Sequence, residues 1–181
     1  GMSNGGYMSF LLACQLSNRI AAVASVTGSM TPQTYNNCNP QHPTPILQIH
    51  GTADATVPYN GNPFWTKSID EVLQYWSSYN NCNPTITTIS IPNLNPFDGS
   101  TVEYSTNYGG DNGTTTEHFK VIGGGHDWPG SFGNMDINAS EEVWKFFSKY
   151  DLNGAIGISS INKIQEDSFN LFPTVTSDFI T

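Results

Sequence analysis

Basic side chains are scarce in this sequence. Its 181 residues hold only 6 lysines and arginines against 15 aspartates and glutamates, for a formal net charge of −9. A nucleic-acid binder needs a basic stripe to neutralise phosphates, and none is present. Adsorption to an anionic membrane surface is excluded on the same ground. No apolar run approaches the length that spans a bilayer. Charged residues of both signs make up 12% of the chain, about half of ordinary usage. Asn, Ser, Thr and Gly take their place, a habit more common outside the cell. Cysteine is limited to Cys14, Cys38 and Cys82, an odd number that cannot all pair within one chain. No CxxC or Cys/His spacing marks a metal site. Cys38 and Cys82 both lie in Asn/Pro-rich segments that read as exposed, so they are the candidates for a disulfide in an oxidising compartment. Cys14 falls on an apolar helix.

What is present suffices for one core. Hydrophobic residues make up 37% of the chain, enough to exclude compositional disorder. A helix is expected after Gly5-Gly6, with Met8, Leu11, Leu12 and Leu16 on its buried face. Residues 20–26 and 45–50 read as short apolar strands of a parallel sheet. Ser68 and Glu71 form a capping box that opens a helix running to about Tyr79, with Ile69, Val72, Leu73 and Trp76 inward. Residues 85–91, 101–106 and 117–122 read as strands, and 139–150 as a helix with Val143, Trp144, Phe146 and Phe147 as core candidates. Strands alternating with helices imply an α/β layered, mostly parallel sheet. The chain divides into residues 1–150, a linker over 151–168, and a strand-like tail over 169–181.

Chemistry concentrates in three places. Gly1-Met2-Ser3-Asn4-Gly5 has the pattern G-x-S-x-G, in which a serine sits on a tight strand-to-helix turn with its hydroxyl exposed. Bulky neighbours would clash there, which accounts for Gly1 and Gly5. The helix that follows points its N-terminus at the site and favours a developing oxyanion. A serine nucleophile needs a base, and the base needs an orienting acid. On α/β sheets of this kind the order is Ser, then acid, then His. Asp54 follows a buried strand in His50-Gly51-Thr52-Ala53-Asp54. His126 follows the last strand in Gly123-Gly124-Gly125-His126-Asp127. Both fall beyond strand C-termini, where open α/β sheets carry their sites. Of the other candidates, Asp127 reads as solvated, His50 as a locally bonded strand-end residue, and His42 and His118 as exposed. Trp65, Trp128 and Phe64 are candidates for lining a substrate cleft. The alternative is that they pack as small local cores.

With these residues in view, the chain resembles the secreted esterase family that includes polyhydroxybutyrate depolymerases and feruloyl or acetylxylan esterases. The resemblance rests on Gly1–Gly6, His50–Tyr59 and Gly123–Gly130, and covers about residues 1–150. It implies an α/β-hydrolase fold lacking its early strands, with Ser3 as nucleophile, Asp54 as acid and His126 as base. It also implies an oxyanion contact from the Asn4 N–H, with a second donor upstream of the elbow. Hydrolysis of carboxylic esters through an acyl-enzyme follows, with an ester substrate derived from an extracellular polymer and no metal or organic cofactor. The tail from Phe169 to Ile180 resembles the opening of a type IX secretion sorting domain, which would make secretion machinery a partner and place the protein at a bacterial surface or outside the cell. Pro173-Thr174-Val175 departs from that domain's usual Pro-Asn-Pro. Two rival readings are a non-catalytic carbohydrate-binding surface protein, with Trp65 and Trp128 as sugar platforms, and a serine peptidase on the same fold.

Overall fold

The computed structural model describes residues 1–157. The tail from 169, with its secretion-domain resemblance, and most of the expected linker lie outside the described residues. The order is α1 (Asn4–Gln15), β1 (Val23–Val26), α2 (Pro32–Asn36), β2 (Ile46–Gly51), α3 (Ile69–Tyr79), β3 (Thr87–Ser90), β4 (Thr101–Asn107), β5 (Thr116–Ile122), α4 (Ala139–Phe147), β6 (Tyr150–Asp151) and β7 (Gly154–Ala155). The main sheet has the order β1-β2-β5-β4-β3. Strands β1, β2 and β5 are parallel, and β4 and β3 extend the sheet as an antiparallel hairpin. Residues 1–3 continue it past β1. Met2 bridges Val26 in parallel, the Val26 N–H donates to Gly1 O, and the Ser3 N–H donates to Val26 O, both at 2.9 Å.

Helices cover both faces, as the near-continuous apolar character of β1 and β2 requires. One layer packs Phe10, Ala13 and Cys14 of α1 with Val72 and Trp76 of α3. The other packs Phe146 of α4 on Leu47, Ile49, Phe119 and Val121. The α/β-hydrolase-type architecture expected from the sequence is present. The α3 capping box forms as read: Ser68 Oγ accepts from the Glu71 N–H, and the Glu71 carboxylate accepts from the Ser68 N–H. The short α2 lies in a stretch read as loop. Its signals, Thr31 as N-cap with Pro32 in the first turn, are local and easily overlooked.

Several faces differ from the expectation. In α1 the buried stripe is Gly6, Phe10, Ala13 and Cys14, while Met8 and Leu16 are exposed. The helix is apolar nearly all round, so spacing alone offers more than one stripe. The choice falls to the residue small enough to seat the helix. A Cβ on Gly6 would lie 2.4 Å from Ser25 Oγ and 2.8 Å from Gly28 Cα, whereas one on Gly5 would meet nothing. In α4, Phe146 is buried but Trp144 is 73% exposed, because Ala139, Val143 and Phe146 share the sheet-facing side and Trp144 lies one step round. His118, expected at the surface, is buried in the middle of β5 between β2 and β4. The start of the expected linker forms the β6–β7 hairpin, with Tyr150 buried against Phe146.

The disulfide joins Cys14 to Cys38, with Cα atoms 4.8 Å apart, and not Cys38 to Cys82. Cys14 lies in the last turn of α1 and faces the segment that leaves α2. Cys82 follows α3, close to Gly110 and the Thr114 carbonyl, and is a free thiol. Tyr75 fastens the bridged segment by donating to the Cys38 carbonyl at 3.1 Å.

Candidate active site

Ser3 occupies the turn between the residue 1–3 strand and α1, at φ 53° and ψ −120°. This region is sparsely populated for any residue with a Cβ, and holding it costs about 1–3 kcal/mol. Ser3 is the N-cap of α1, yet its side chain makes no capping hydrogen bond. The cap is built from the backbone: the Gly6 and Tyr7 N–H groups both donate to Ser3 O. The serine hydroxyl is thereby left out of the helix start. Asn4 opens α1, and among the described residues its N–H has no acceptor, as the first turn of a helix allows. Of the two flanking glycines expected from crowding, only Gly1 is required by it: a Cβ there would lie 2.6 Å from the Gly5 carbonyl, whereas a Cβ on Gly5 itself would meet nothing.

Asp54 lies in the turn after β2, 4% exposed. Its Oδ1 accepts from the Thr56 and Val57 N–H groups, both at 2.8 Å. Its Oδ2 is 2.8 Å from His126 Nδ1. Burial raises the carboxyl pKa, but bonds from His50, the Val57 N–H, His126 and the Thr56 N–H outweigh it and bring it down to about 2. Asp54 is therefore ionised at neutral pH. Because Nδ1 of His126 faces a carboxylate it carries the proton, which leaves Nε2 as the basic nitrogen.

The loops bearing these two residues are zipped together. The Thr52 N–H donates to Val121 O, the Ala53 N–H to Gly124 O, and the Gly123 N–H to Thr52 Oγ1, each at 2.9 Å. Gly51 has no room for a side chain, since a Cβ would lie 2.2 Å from Gly124 O. Gly123 takes φ +80°, a left-handed turn that glycine adopts without strain. Asp127, expected to be solvated, is half-buried and turns back to accept from the Gly125 N–H at 3.0 Å. It shapes the loop that aims His126.

Tyr7 was not singled out by the sequence, although it stands four residues after Ser3 and so on the same helix face. Its hydroxyl shares a hydrogen bond with Thr66 Oγ1. Burial, with a smaller contribution from the negative charge of Asp54, raises its pKa. The first turns of α1 therefore lie beside the loop that begins at Asp54. Trp65, next to Thr66, is 42% exposed, and Phe64 is almost fully exposed. Trp128 instead packs partly on the core and donates to Ser140 Oγ at 3.1 Å. A groove of about 570 Å³ lies elsewhere, between α3 and the β3–β4–β5 surface, with Tyr59 and Asp70 on its wall; Ser3, Asp54 and His126 do not line it. Among the described residues no group of His, Cys, Asp and Glu side chains could hold a metal ion.

Residues 1–87 match a phospholipase/carboxylesterase family model. A bifunctional acetylxylan esterase/xylanase of Neocallimastix patriciarum is 26% identical over 160 residues, covering 88% of this chain and 21% of the relative. Feruloyl esterase B of Piromyces equi is 33% identical over 92 residues, covering 45% and 17%. A protein named probable feruloyl esterase C, from Aspergillus oryzae, is 30% identical over 148 residues, covering 81% and 47%. The chain spans less than half the length of each of these relatives. The parallel sheet flanked by helices agrees with these matches, which together support an esterase-type α/β-hydrolase.

Proposed function

We propose that this chain carries the catalytic centre of a serine carboxylic-ester hydrolase, with Ser3 as nucleophile, His126 as base and Asp54 as acid. The observation that supports it best is the backbone of Ser3. A non-glycine residue is held in a strained turn at a strand-to-helix junction, and its hydroxyl serves no structural bond there. Strain of this kind persists where the surroundings enforce it, and such places cluster at functional sites.

In the proposed cycle His126 Nε2 takes the Ser3 proton as Oγ attacks the ester carbonyl carbon. The carbonyl oxygen becomes an oxyanion that the Asn4 N–H helps to hold. Asp54 keeps the Nδ1–H tautomer and stabilises the imidazolium. The C–O bond to the alcohol then breaks, and the proton passes from His126 to the departing alkoxide. A water molecule, deprotonated by His126, releases the acid and restores Ser3. The names of the relatives support acetylxylan or feruloyl esters as substrates. The Cys14–Cys38 bridge supports an oxidising compartment and export from the cell.

The test is Ser3→Ala in the full-length protein, assayed on p-nitrophenyl acetate and methyl ferulate. Turnover is expected to fall roughly 10⁴-fold or more, with the circular-dichroism spectrum retained. Undiminished turnover would overturn the assignment. Hydrolysis of aminoacyl amides in preference to both esters would replace the esterase by a peptidase.

A further inference from the structure

Two polar side chains, Gln48 and His50, are fully buried on β2 in the middle of the sheet. They take no part in the cycle above. Burying such groups is costly unless they are hydrogen-bonded, and their bonds run in one direction. Gln48 Nε2 lies 3.0 Å from Gly28 O and 2.9 Å from His50 Nδ1. A carbonyl oxygen only accepts, so the amide NH₂ must face it. His50 Nδ1 therefore accepts as well, and the imidazole proton sits on Nε2. That N–H points at the acid's turn, 2.8 Å from Val57 O and 3.4 Å from Asp54 Oδ2. Gln48 Oε1 is left buried with no hydrogen-bond partner among the described residues, which the fold accepts in order to keep the amide this way round.

We infer that His50 and Gln48 are positioning residues that hold Asp54 in line with His126, an inference that rests on the Ser3–Asp54–His126 reading. The turn from Asp54 to Val57 is closed by its own carboxylate, through the Thr56 and Val57 N–H groups. His50 pins that turn from beneath through Val57 O and turns its N–H toward the same oxygen that His126 uses. The carboxylate cannot rotate without giving up one of these donors. The other end of the line reaches the nucleophile. Gly28, whose carbonyl anchors Gln48, forms the bed on which the elbow sits, since a Cβ there would lie 2.8 Å from Ser3 O and 2.6 Å from Gly6 Cα. One buried line of hydrogen bonds thus ties the elbow's support to the acid.

The test uses the full-length enzyme with His50→Leu, Gln48→Met and His50→Gln. Active sites are counted by stoichiometric fluorophosphonate labelling, so that kcat refers to competent protein only. In His50→Leu, kcat per labelled site for p-nitrophenyl acetate is expected to fall roughly 10–100-fold with KM within about twofold, the scale of a misaligned catalytic group. The low-field NMR proton shared by His126 Nδ1 and Asp54 is expected to broaden or vanish. Gln48→Met, close in volume, produces the same signature at roughly 3–10-fold, the lower end of that scale. His50→Gln, which can still donate to Val57 O, recovers most of the rate. If per-site kcat and the low-field proton stay at wild-type values in Gln48→Met, and in His50→Leu where it folds, while only the labelled fraction drops, the two residues are merely structural and the inference is overturned. Failure of the underlying reading looks different: the wild-type enzyme would resist labelling, and Ser3→Ala would retain turnover.

Discussion

The pairing of Cys14 with Cys38 carries a quantitative expectation. The bridge closes a loop with a sequence separation of 24. On the chain-entropy account a loop of that length restrains the unfolded chain by about 3.5 kcal/mol. With a urea slope of ~1–3 kcal/mol per molar, reduction should lower the urea midpoint by between about 1 and 3.5 M. In a thermal scan the same loss corresponds to a drop of roughly 7–14 °C for a chain of this size. The assay is urea unfolding followed by circular dichroism, with and without dithiothreitol, on the wild type, Cys14→Ala and Cys82→Ala. The wild type and Cys82→Ala should both be destabilised by the reductant. Cys14→Ala should start lower and be indifferent to it. A Cys82→Ala variant insensitive to dithiothreitol, beside a sensitive Cys14→Ala, would show that the bridge uses Cys82 and would refute the reasoning.

The two glycines of the first helical turn should respond in opposite ways. Gly6→Ala forces α1 off β1 and is expected to destabilise by roughly 1–3 kcal/mol, while Gly5→Ala, in open space, should be neutral or gain up to about 1 kcal/mol; paired urea melts decide. The hydrogen bonds donated to Asp54 in the fold hold its carboxyl below the ordinary aspartate range, at about 2. Its contribution, on the order of 2 kcal/mol, is complete above the unfolded value and lost as pH falls through the folded one. Comparing urea midpoints at pH 6 and pH 2, Asp54→Asn should lack this part of the acid loss, and its kcat at pH 7 should fall roughly 10³–10⁴-fold. Trp65→Ala should leave p-nitrophenyl acetate turnover within about twofold while weakening hydrolysis of a polymeric ester, provided its exposed ring contacts the chain beyond the ester.

Local signals in the sequence survived folding well. The Ser68–Glu71 box and the apolar runs of β1 and β2 depend on neighbours within a few residues. Orientation was harder to read. The buried stripe of α1 is chosen by how closely Gly6 lets the helix approach β1, which is a tertiary matter. Trp144 reads as core by type but lies a step outside the face that α4 turns to the sheet. The cysteine pairing depends on where α1 ends relative to α2, and the sequence gives no measure of that. His50 does bond locally as read, to Val57 O, but the burial of His118 and the partnering of Gln48 with His50 were missed for one shared reason. Polar residues in a strand suggest exposure, and only the packing of β2 against β5 and the helices shows them buried and bonded to one another. The alternation Ile46, Gln48, His50 on one side of β2 was the available signal.

The zipped loops make Asp54 and His126 one mechanical unit. The Asp54 and His126 loops share three backbone-anchored bonds and grow from adjacent strands in fixed register, Gly51 opposite Val121. The elbow belongs to a different piece, joined to the sheet through β1. On the proposed Ser3–His126–Asp54 reading, thermal motion that loosens the centre before the whole fold gives way should therefore separate Ser3 from His126 first and leave the Asp54–His126 pair whole. Activity would fade with warming through lost alignment of the nucleophile, while the low-field proton of that pair persists to the melting transition.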